Sequence, residues 1–231
     1  MATQGHTLKA FDEDLDRLRA LITEMGGRAE HAIIEAMRCL SERDLDGALR
    51  VIEEDKKIDA LEAETERRAI QIIALRAPMA GDLRDVVAAL KISGVVERIG
   101  DYAKNIAKRV PLLEGAAKIE PLSLLPEMAR IATAMVHDVL NAFVQRDSDA
   151  ALRVCERDKA VDDFYDSIFR TLLTHMMENP HIIGQSAHLL FVAKNLERVG
   201  DHATNIAEMV FYAATGQQMA DRVKGAEGLS S

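Results

Sequence analysis

The chain has 231 residues, of which 48% are hydrophobic and 29% charged, so it holds enough apolar sequence for a buried core. Its formal net charge of −9, without any block of Lys and Arg, disfavours a nucleic-acid partner, because phosphate backbones repel such a chain. No window of about 18 apolar residues occurs, so no membrane span is predicted. The N-terminus has no basic-then-apolar secretory pattern, and the sequence therefore predicts a cytoplasmic protein.

Helices dominate the predicted elements. Aromatic residues make up only 4% of the chain, and a core of Leu, Ile, Val, Ala and Met suits helices better than strands. Pro78 and Pro180 lie where a helix must end. In chain order, six long helices are predicted at 8–41, 45–76, 82–110, 123–146, 148–178 and 182–215.

The longest interruption between helices divides the chain into two domains. Residues 1–110 form the first predicted unit, and residues 123–215 form the second. The Pro-containing stretch 111–122 is predicted to be the linker between them, and residues 216–231 are predicted to be a polar tail.

The two units repeat each other. "ERIGDYAKNIA" at 97–107 returns as "ERVGDHATNIA" at 197–207, with eight of eleven positions identical. "ALRVIEEDKKID" at 48–59 returns as "ALRVCERDKAVD" at 151–162, with eight of twelve positions identical. The repeat and the short loops predict an all-α fold, a tandem repeat of two three-helix bundles with six long antiparallel helices related by a pseudo-twofold.

Acidic pairs recur at matched positions of the repeat. Each pair has i, i+4 spacing on a helix, which places both carboxylates on one face: Asp55–Asp59, Glu97–Asp101, Asp158–Asp162 and Glu197–Asp201. On a helical wheel the two pairs of the second and fifth helices fall within apolar stripes. If adjacent helices pack side by side, four carboxylates and an Asn amide converge in each half. Hard or borderline metal ions favour such oxygen-rich sites.

Three interpretations of these acids stay open. The first is metal binding. The second is a metal-free scaffold, in which the acids hold helices in register by pairing with basic side chains: Arg98, Arg198, Lys56 or Lys159. The third is an enzyme with a carboxylate-bridged metal centre that activates oxygen or water. Bundle enzymes of that kind use a helical Glu-x-x-His, but Gly100 and Gly200 stand three residues after Glu97 and Glu197. Because no nucleophile–base motif occurs either, the chain is predicted not to be an enzyme.

The doubled ER[IV]GDxAxNIA and ExDKx[IV]D phrases resemble the PhoU family of bacterial phosphate-transport accessory regulators, over about residues 8–215. The resemblance implies that the four acidic pairs are the family's E(D)xxxD signature, which binds multinuclear iron or zinc clusters on the bundle surface. It adds three further candidate ligands, Asn105, Asn205 and Glu62. Because Tyr165 stands at the position that matches Glu62, the two sites need not be equivalent.

The resemblance also implies a regulatory function. PhoU-like proteins are negative regulators of the phosphate-starvation response. They are adaptors that link the ATPase subunit of the high-affinity phosphate ABC transporter to the sensor histidine kinase of a two-component system. The chain is accordingly expected to modulate phosphate uptake, to form a homodimer, and to reach the inner membrane only through its partners.

Overall fold

The computed structural model describes residues 2–115 and 123–219, so residues 116–122 of the predicted linker and 220–231 of the predicted tail lie outside the described residues. The described part contains no strand, which agrees with the predicted all-α fold. Its long helices are α1 Ala2–Glu42, α2 Leu45–Arg76, α3 Gly81–Ala107, α4 Leu125–Gln145, α5 Ser148–Glu178 and α6 Ile183–Thr215. Short 3-10 helices follow α3 at Pro111–Leu113 and precede α6 at Pro180–Ile182.

The turns that lead into α2 and α5 have the same construction. The Asp44 side chain accepts a hydrogen bond from the Gly47 amide at 2.8 Å, and the Asp147 side chain accepts one from the Ala150 amide at 2.9 Å. These carboxylates satisfy amides that have no partner inside the helix. The residue before each aspartate has positive φ, 61° at Arg43 and 54° in the second half. The two halves therefore share their turn geometry as well as their sequence phrases.

Each half is a three-helix unit, and the two units pack extensively on each other. Helices α1, α2 and α3 contact one another, as do α4, α5 and α6. Between the halves, α3 packs against α6 and α1 packs against α4, whereas α2 and α5 make their main contacts within their own half. A Cβ built at Gly26 would clash with Cδ1 of Leu140, so the missing side chain allows α1 and α4 to approach closely.

Tyr102 and His202 mark the seam between the halves. They occupy equivalent positions of the repeat, 100 residues apart on α3 and α6. Their rings stack with centroids 5.3 Å apart and planes 12° apart, and the Tyr102 hydroxyl lies 2.9 Å from Nε2 of His202. Because equivalent residues of the two halves contact each other, this pair lies at the pseudo-twofold axis. The sequence analysis did not predict that Tyr102 and His202 would be in contact.

The described helices were compared with the length and apolar character of a membrane span. Within residues 2–115 and 123–219, no helix combines the length and the apolar character needed to cross a bilayer.

Two unequal acidic clusters as the candidate functional site

The first acidic cluster lies between α2 and α3. Asp55 is buried, with 5% of its surface exposed, whereas Asp59 is exposed. Glu97 and Asp101 on α3 are partly buried. Oε1 of Glu62 lies 3.8 Å from the point where Gly94 would carry a Cβ, which places this side chain across from the α3 turn before Glu97. The predicted acids of the first half therefore lie on facing helices, within electrostatic range of Glu97.

Charge and burial act on this cluster in the same direction. Burial raises the pKa of Glu97, and the charges of its acidic neighbours raise it further: Asp101, Asp59, Glu62 and Asp55. Burial also raises the pKa of Asp55, although Lys104 opposes this shift through a hydrogen bond and its charge. Ionising the whole cluster is therefore unfavourable, and a cation among the carboxylates offsets that cost.

Lys104 supplies such a cation from within the chain. Its Nζ donates hydrogen bonds to Oδ1 of Asp101 at 2.6 Å and to Oδ2 of Asp55. Burial acts to lower the pKa of Lys104, but the hydrogen bonds to Asp101 and Asp55, with their charges, outweigh it and raise the pKa. The lysine therefore stays charged and ties α3 to α2. Sequence reasoning missed it, although its i, i+3 spacing from Asp101 is a recognisable signal.

The second cluster, between α5 and α6, has a different internal cation. Asp158 is buried with 5% exposed, and Asp162 is exposed. Nζ of Lys194 donates to Oε1 of Glu197 at 2.6 Å, while the other carboxylate oxygen, Oε2, is buried and has no hydrogen-bond partner within the described residues. The Glu197 side chain is only 14% exposed. Lys194 thus pairs with the first acid of the α6 pair, Glu197, whereas Lys104 pairs with the second acid of the α3 pair, Asp101.

The residue that matches Lys104 in the second half is Thr204. Its hydroxyl donates a hydrogen bond to the backbone oxygen of Asp201 at 2.7 Å, so it supplies no charge to the cluster. Conversely, Gly94 stands where the second half has Lys194. The two acidic clusters thus have the same carboxylates, but Lys104 pairs with Asp55 and Asp101 in the first, whereas Lys194 pairs with Glu197 in the second.

Glycines inside the repeated phrase let the carboxylates come close to the neighbouring helix. A Cβ built at Gly100 would lie 2.8 Å from Cδ1 of Ile58 and 3.4 Å from Oδ1 of Asp55. At Gly200 the built Cβ would lie 3.2 Å from Oδ1 of Asp158. In both halves, the space left by the missing side chain accommodates the buried aspartate of the facing helix.

Two further sets of predicted residues surround the acids. Asn205 is exposed beside His202, its Nδ2 lying 3.4 Å from Nδ1 of the imidazole, whereas Asn105 is partly buried on α3. The scaffold interpretation would pair the acids with four basic side chains, which have different surroundings. The guanidinium of Arg198 lies 5.9 Å from the Tyr102 ring, the charge of Arg98 acts on His202, and Lys56 and Lys159 are exposed.

The clusters can be tested for their fit to a metal ion. Across the two described stretches, no three His, Cys, Asp or Glu side chains are gathered closely enough to form a metal site as they stand. In the first cluster, the Lys104 ammonium already occupies the space between Asp55 and Asp101. In the second, the orphaned Oε2 of Glu197 is an oxygen donor that a cation would satisfy. The second cluster therefore fits a metal better than the first.

This geometry defines a class of protein, a duplicated three-helix protein with one acidic cluster in each half. The family model described as the PhoU domain matches residues 22–110 and 125–210, one match in each half. The chain therefore belongs to the PhoU family.

Similar proteins support this assignment along nearly the whole chain. A protein of Zymomonas mobilis named "Phosphate-specific transport system accessory protein PhoU homolog" is 56% identical over 98% of this chain and 96% of its own length. A Caulobacter vibrioides protein of the same name is 46% identical over 93% and 94%. The crystal structure of PhoU from Pseudomonas aeruginosa matches with a TM-score of 0.86 and 35% identity, covering 90% of this chain and all of that one.

Proposed function

We propose that this protein is an accessory regulator of a phosphate-specific transport system. It acts as a negative regulator that keeps the phosphate-starvation response off when phosphate is plentiful. The observation that carries the proposal is the 56% identity, over 98% of the chain, with a relative named as an accessory protein of that system. An accessory role is regulatory rather than catalytic, so we propose that the chain is not an enzyme.

The proposed mode of action is that of an adaptor. In the cytoplasm, the protein contacts the ATPase subunit of the phosphate ABC transporter and the sensor histidine kinase, as a homodimer, and modulates phosphate uptake. The tandem fold supports this proposal, because α2 and α5 make their main contacts within their own half and leave each half an outer helical face. Two related but unequal faces suit one protein that has two partners.

Co-purification tests the adaptor proposal. The tagged protein is isolated from phosphate-replete cells, and the transporter ATPase and the sensor kinase are measured by immunoblot. We expect both to be enriched over an untagged control, and enrichment to fall in phosphate-starved cells. Recovery of neither protein in phosphate-replete cells would contradict the adaptor role.

We also propose that the acidic clusters bind iron or zinc, with the second cluster as the stronger site. Its ligands would be the carboxylates Asp158, Asp162, Glu197 and Asp201. At the first cluster, Asp55, Asp59, Glu97 and Asp101, with Glu62 beside them, would bind a metal only after Lys104 is displaced. A bound ion would neutralise the carboxylates and cross-link adjacent helices, which would stabilise the fold.

Zinc-dependent melting tests this metal proposal. Ligand at a hundredfold excess over its dissociation constant stabilises a fold by about 2.7 kcal/mol. We expect zinc to raise the melting temperature of the wild-type protein and of Asp101→Ala, the matched variant of the first cluster, but not that of Asp201→Ala. Equal melting of the wild-type protein with zinc and with chelator, and no metal retained after dialysis, would instead support the metal-free scaffold.

A further inference from the structure

A groove of about 1030 Å³ runs along the surface between α3 and α6, on one side of the Tyr102–His202 seam. One wall is α3, from Arg84 to Arg98, and the other is α6, from His202 to Tyr212, with Gln218 and Met219 beyond the end of α6. Apolar side chains such as Val87, Val95 and Met209 alternate with polar ones along it. The groove borders the first acidic cluster, because Gly94 lines it and Oε1 of Glu62 lies 3.8 Å from the Cβ position of this glycine. None of the eight paired acids lines the groove, whereas the candidate ligand Asn205 does.

A row of cations lines the α3 wall. Arg84, Lys91 and Arg98 are seven residues apart, so they lie on one face of the helix. Seven helical residues span about 10.5 Å, and the row therefore extends for about 21 Å. The sequence shows no basic block, because six other residues separate each cation from the next, and only the helical period gathers them.

These cations have no carboxylate partners in residues 2–115 and 123–219, where many other arginines form ion pairs. Nε of Arg84 is buried and lacks any hydrogen-bond partner there. Glu208 lines the opposite wall of the groove. In a chain with a net charge of −9, this groove has three cations and one lining carboxylate, Glu208, so its local charge is positive.

The repeat does not account for the row. The residues that match Arg84, Lys91 and Arg98 in the second half are Gly184, Phe191 and Arg198. On that opposite side of the seam, the guanidinium of Arg109 covers the Phe191 ring at 3.7 Å from its centroid. On one side of the seam, the Arg109 guanidinium therefore covers the Phe191 ring. The open basic groove lies on the other side.

We propose that this groove, which we call the α3–α6 groove, binds an acidic amphipathic helix of a partner protein. Glutamates or aspartates seven residues apart on such a helix would face the three cations, and its apolar face would cover Val87, Val95 and Met209. The proposal does not depend on the regulatory role. Charge complementarity of this kind sets both the rate and the specificity of association.

The geometry favours a helix over other anions. The row of three cations extends for about 21 Å along the helix, a length that one phosphate group cannot cover. A bilayer surface is flat, whereas these side chains line a concave groove, and the net charge of −9 repels an anionic membrane. The same net charge disfavours an extended nucleic-acid backbone.

The test is fluorescence anisotropy of the full-length protein with a synthetic helical peptide. The peptide carries three glutamates seven residues apart beside a leucine face, and its control has glutamines in their place. We expect the glutamate peptide to bind, and Lys91→Glu with Arg98→Glu to weaken it by at least about tenfold. The matched control, Lys159→Glu with Arg198→Glu, has the same charge change in the second half and should retain most of the affinity.

A reciprocal peptide with lysines distinguishes lost complementarity from misfolding. It should bind Lys91→Glu with Arg98→Glu more tightly than it binds the wild-type protein. The proposal is overturned if the glutamate peptide does not bind, if the glutamine peptide binds equally well, or if both double variants lose the same affinity. It is also overturned if phosphatidylglycerol vesicles, rather than the peptide, show the binding that the Lys91→Glu and Arg98→Glu changes remove.

Discussion

Lys104 determines how the first acidic cluster tolerates its own charge. The lysine is hydrogen-bonded to two carboxylates, one of which, Asp55, is almost fully buried. A buried carboxylate without a partner is costly, because water can no longer solvate it. In the second half, Lys194 pairs with Glu197, and Thr204 stands at the position of Lys104.

Replacing Lys104 with the residue of the second half tests this role. Lys104→Thr should lower the free energy of unfolding at pH 7 by about 1–3 kcal/mol, because Asp55 loses its charged partner. Urea unfolding of the chelated protein measures the loss. The control is Lys108→Thr, an exposed lysine one turn further along the chain, which should change stability by less than about 0.5 kcal/mol. Equal stability of the Lys104→Thr and Lys108→Thr variants would contradict this role.

Sequence reasoning could predict the carboxylates of the clusters but not their cations. The acidic pairs are identical or nearly so in both halves, so comparing the halves reveals them. Lys104 and Lys194 occur where the halves differ, opposite Thr204 and Gly94. The comparison therefore hides the residues that make the two sites unequal. The sequence analysis also did not predict that the two acids of one pair differ in burial. Asp55 is buried, whereas Asp59, one turn along the same helical face, is exposed.

At the scale of elements, the turn between α1 and α2 shows how the repeat diverged while keeping its geometry. The Asp44 amide donates to the oxygen of Cys39 at 3.0 Å, and the matching amide of α5 donates to the oxygen of Ala142 at 2.9 Å. In the first half Cys39 faces Gly47, whereas in the second half Ala142 corresponds to Cys39 and Ala150 to Gly47. The first half thus combines the larger Cys39 with the smaller Gly47, and the second half has alanine at both positions.

A double-mutant cycle tests this compensation. A Cβ at Gly47 would clash with Oδ2 of Asp44 and lie 2.6 Å from Sγ of Cys39, so Gly47→Ala should destabilise the protein by about 1–3 kcal/mol. Adding Cys39→Ala recreates the pair of the second half and should recover at least about 0.5 kcal/mol relative to the sum of the single variants. Chemical denaturation of all four proteins measures the coupling. Strict additivity would show that the two positions do not compensate.

Helix boundaries were predictable where caps and prolines mark them. The bounds of α2 and α5 agree with the prediction, because Asp44 and Asp147 cap their starts, and Pro78 and Pro180 follow their ends. The prediction was less accurate for α1, which begins at Ala2 rather than at residue 8. Without such a signal, α3 ends at Ala107 rather than at residue 110, and the chain continues into a 3-10 turn.

At the scale of the whole molecule, the seam couples the two halves through His202. Burial lowers the pKa of His202, and the nearby charge of Arg98 lowers it further, while Asp201 opposes the shift. The folded state therefore binds this proton less readily than the unfolded chain does. Stability is then fully present above the ordinary histidine pKa of about 6.5 and falls as the pH drops through that value towards the lowered one.

Comparison with His202→Phe isolates this effect. The variant keeps a ring for stacking but loses the hydrogen bond to Tyr102, so it should be less stable by about 1 kcal/mol at pH 7.5. Because the variant cannot take up the proton, the difference should narrow or reverse below about pH 6.5. Urea unfolding at pH 7.5, 6.5 and 5.5 measures it. A constant difference across this range would show that His202 does not contribute to the pH dependence.

The proposed regulatory role is tested most directly in cells that lack the protein but retain the transporter and the sensor kinase. Transcripts of phosphate-starvation genes are measured in phosphate-rich medium, with a complemented strain as the control. The proposal predicts that these genes are switched on in the deletion strain and silent again after complementation. Expression that stays low in the deletion strain would contradict the role of a negative regulator.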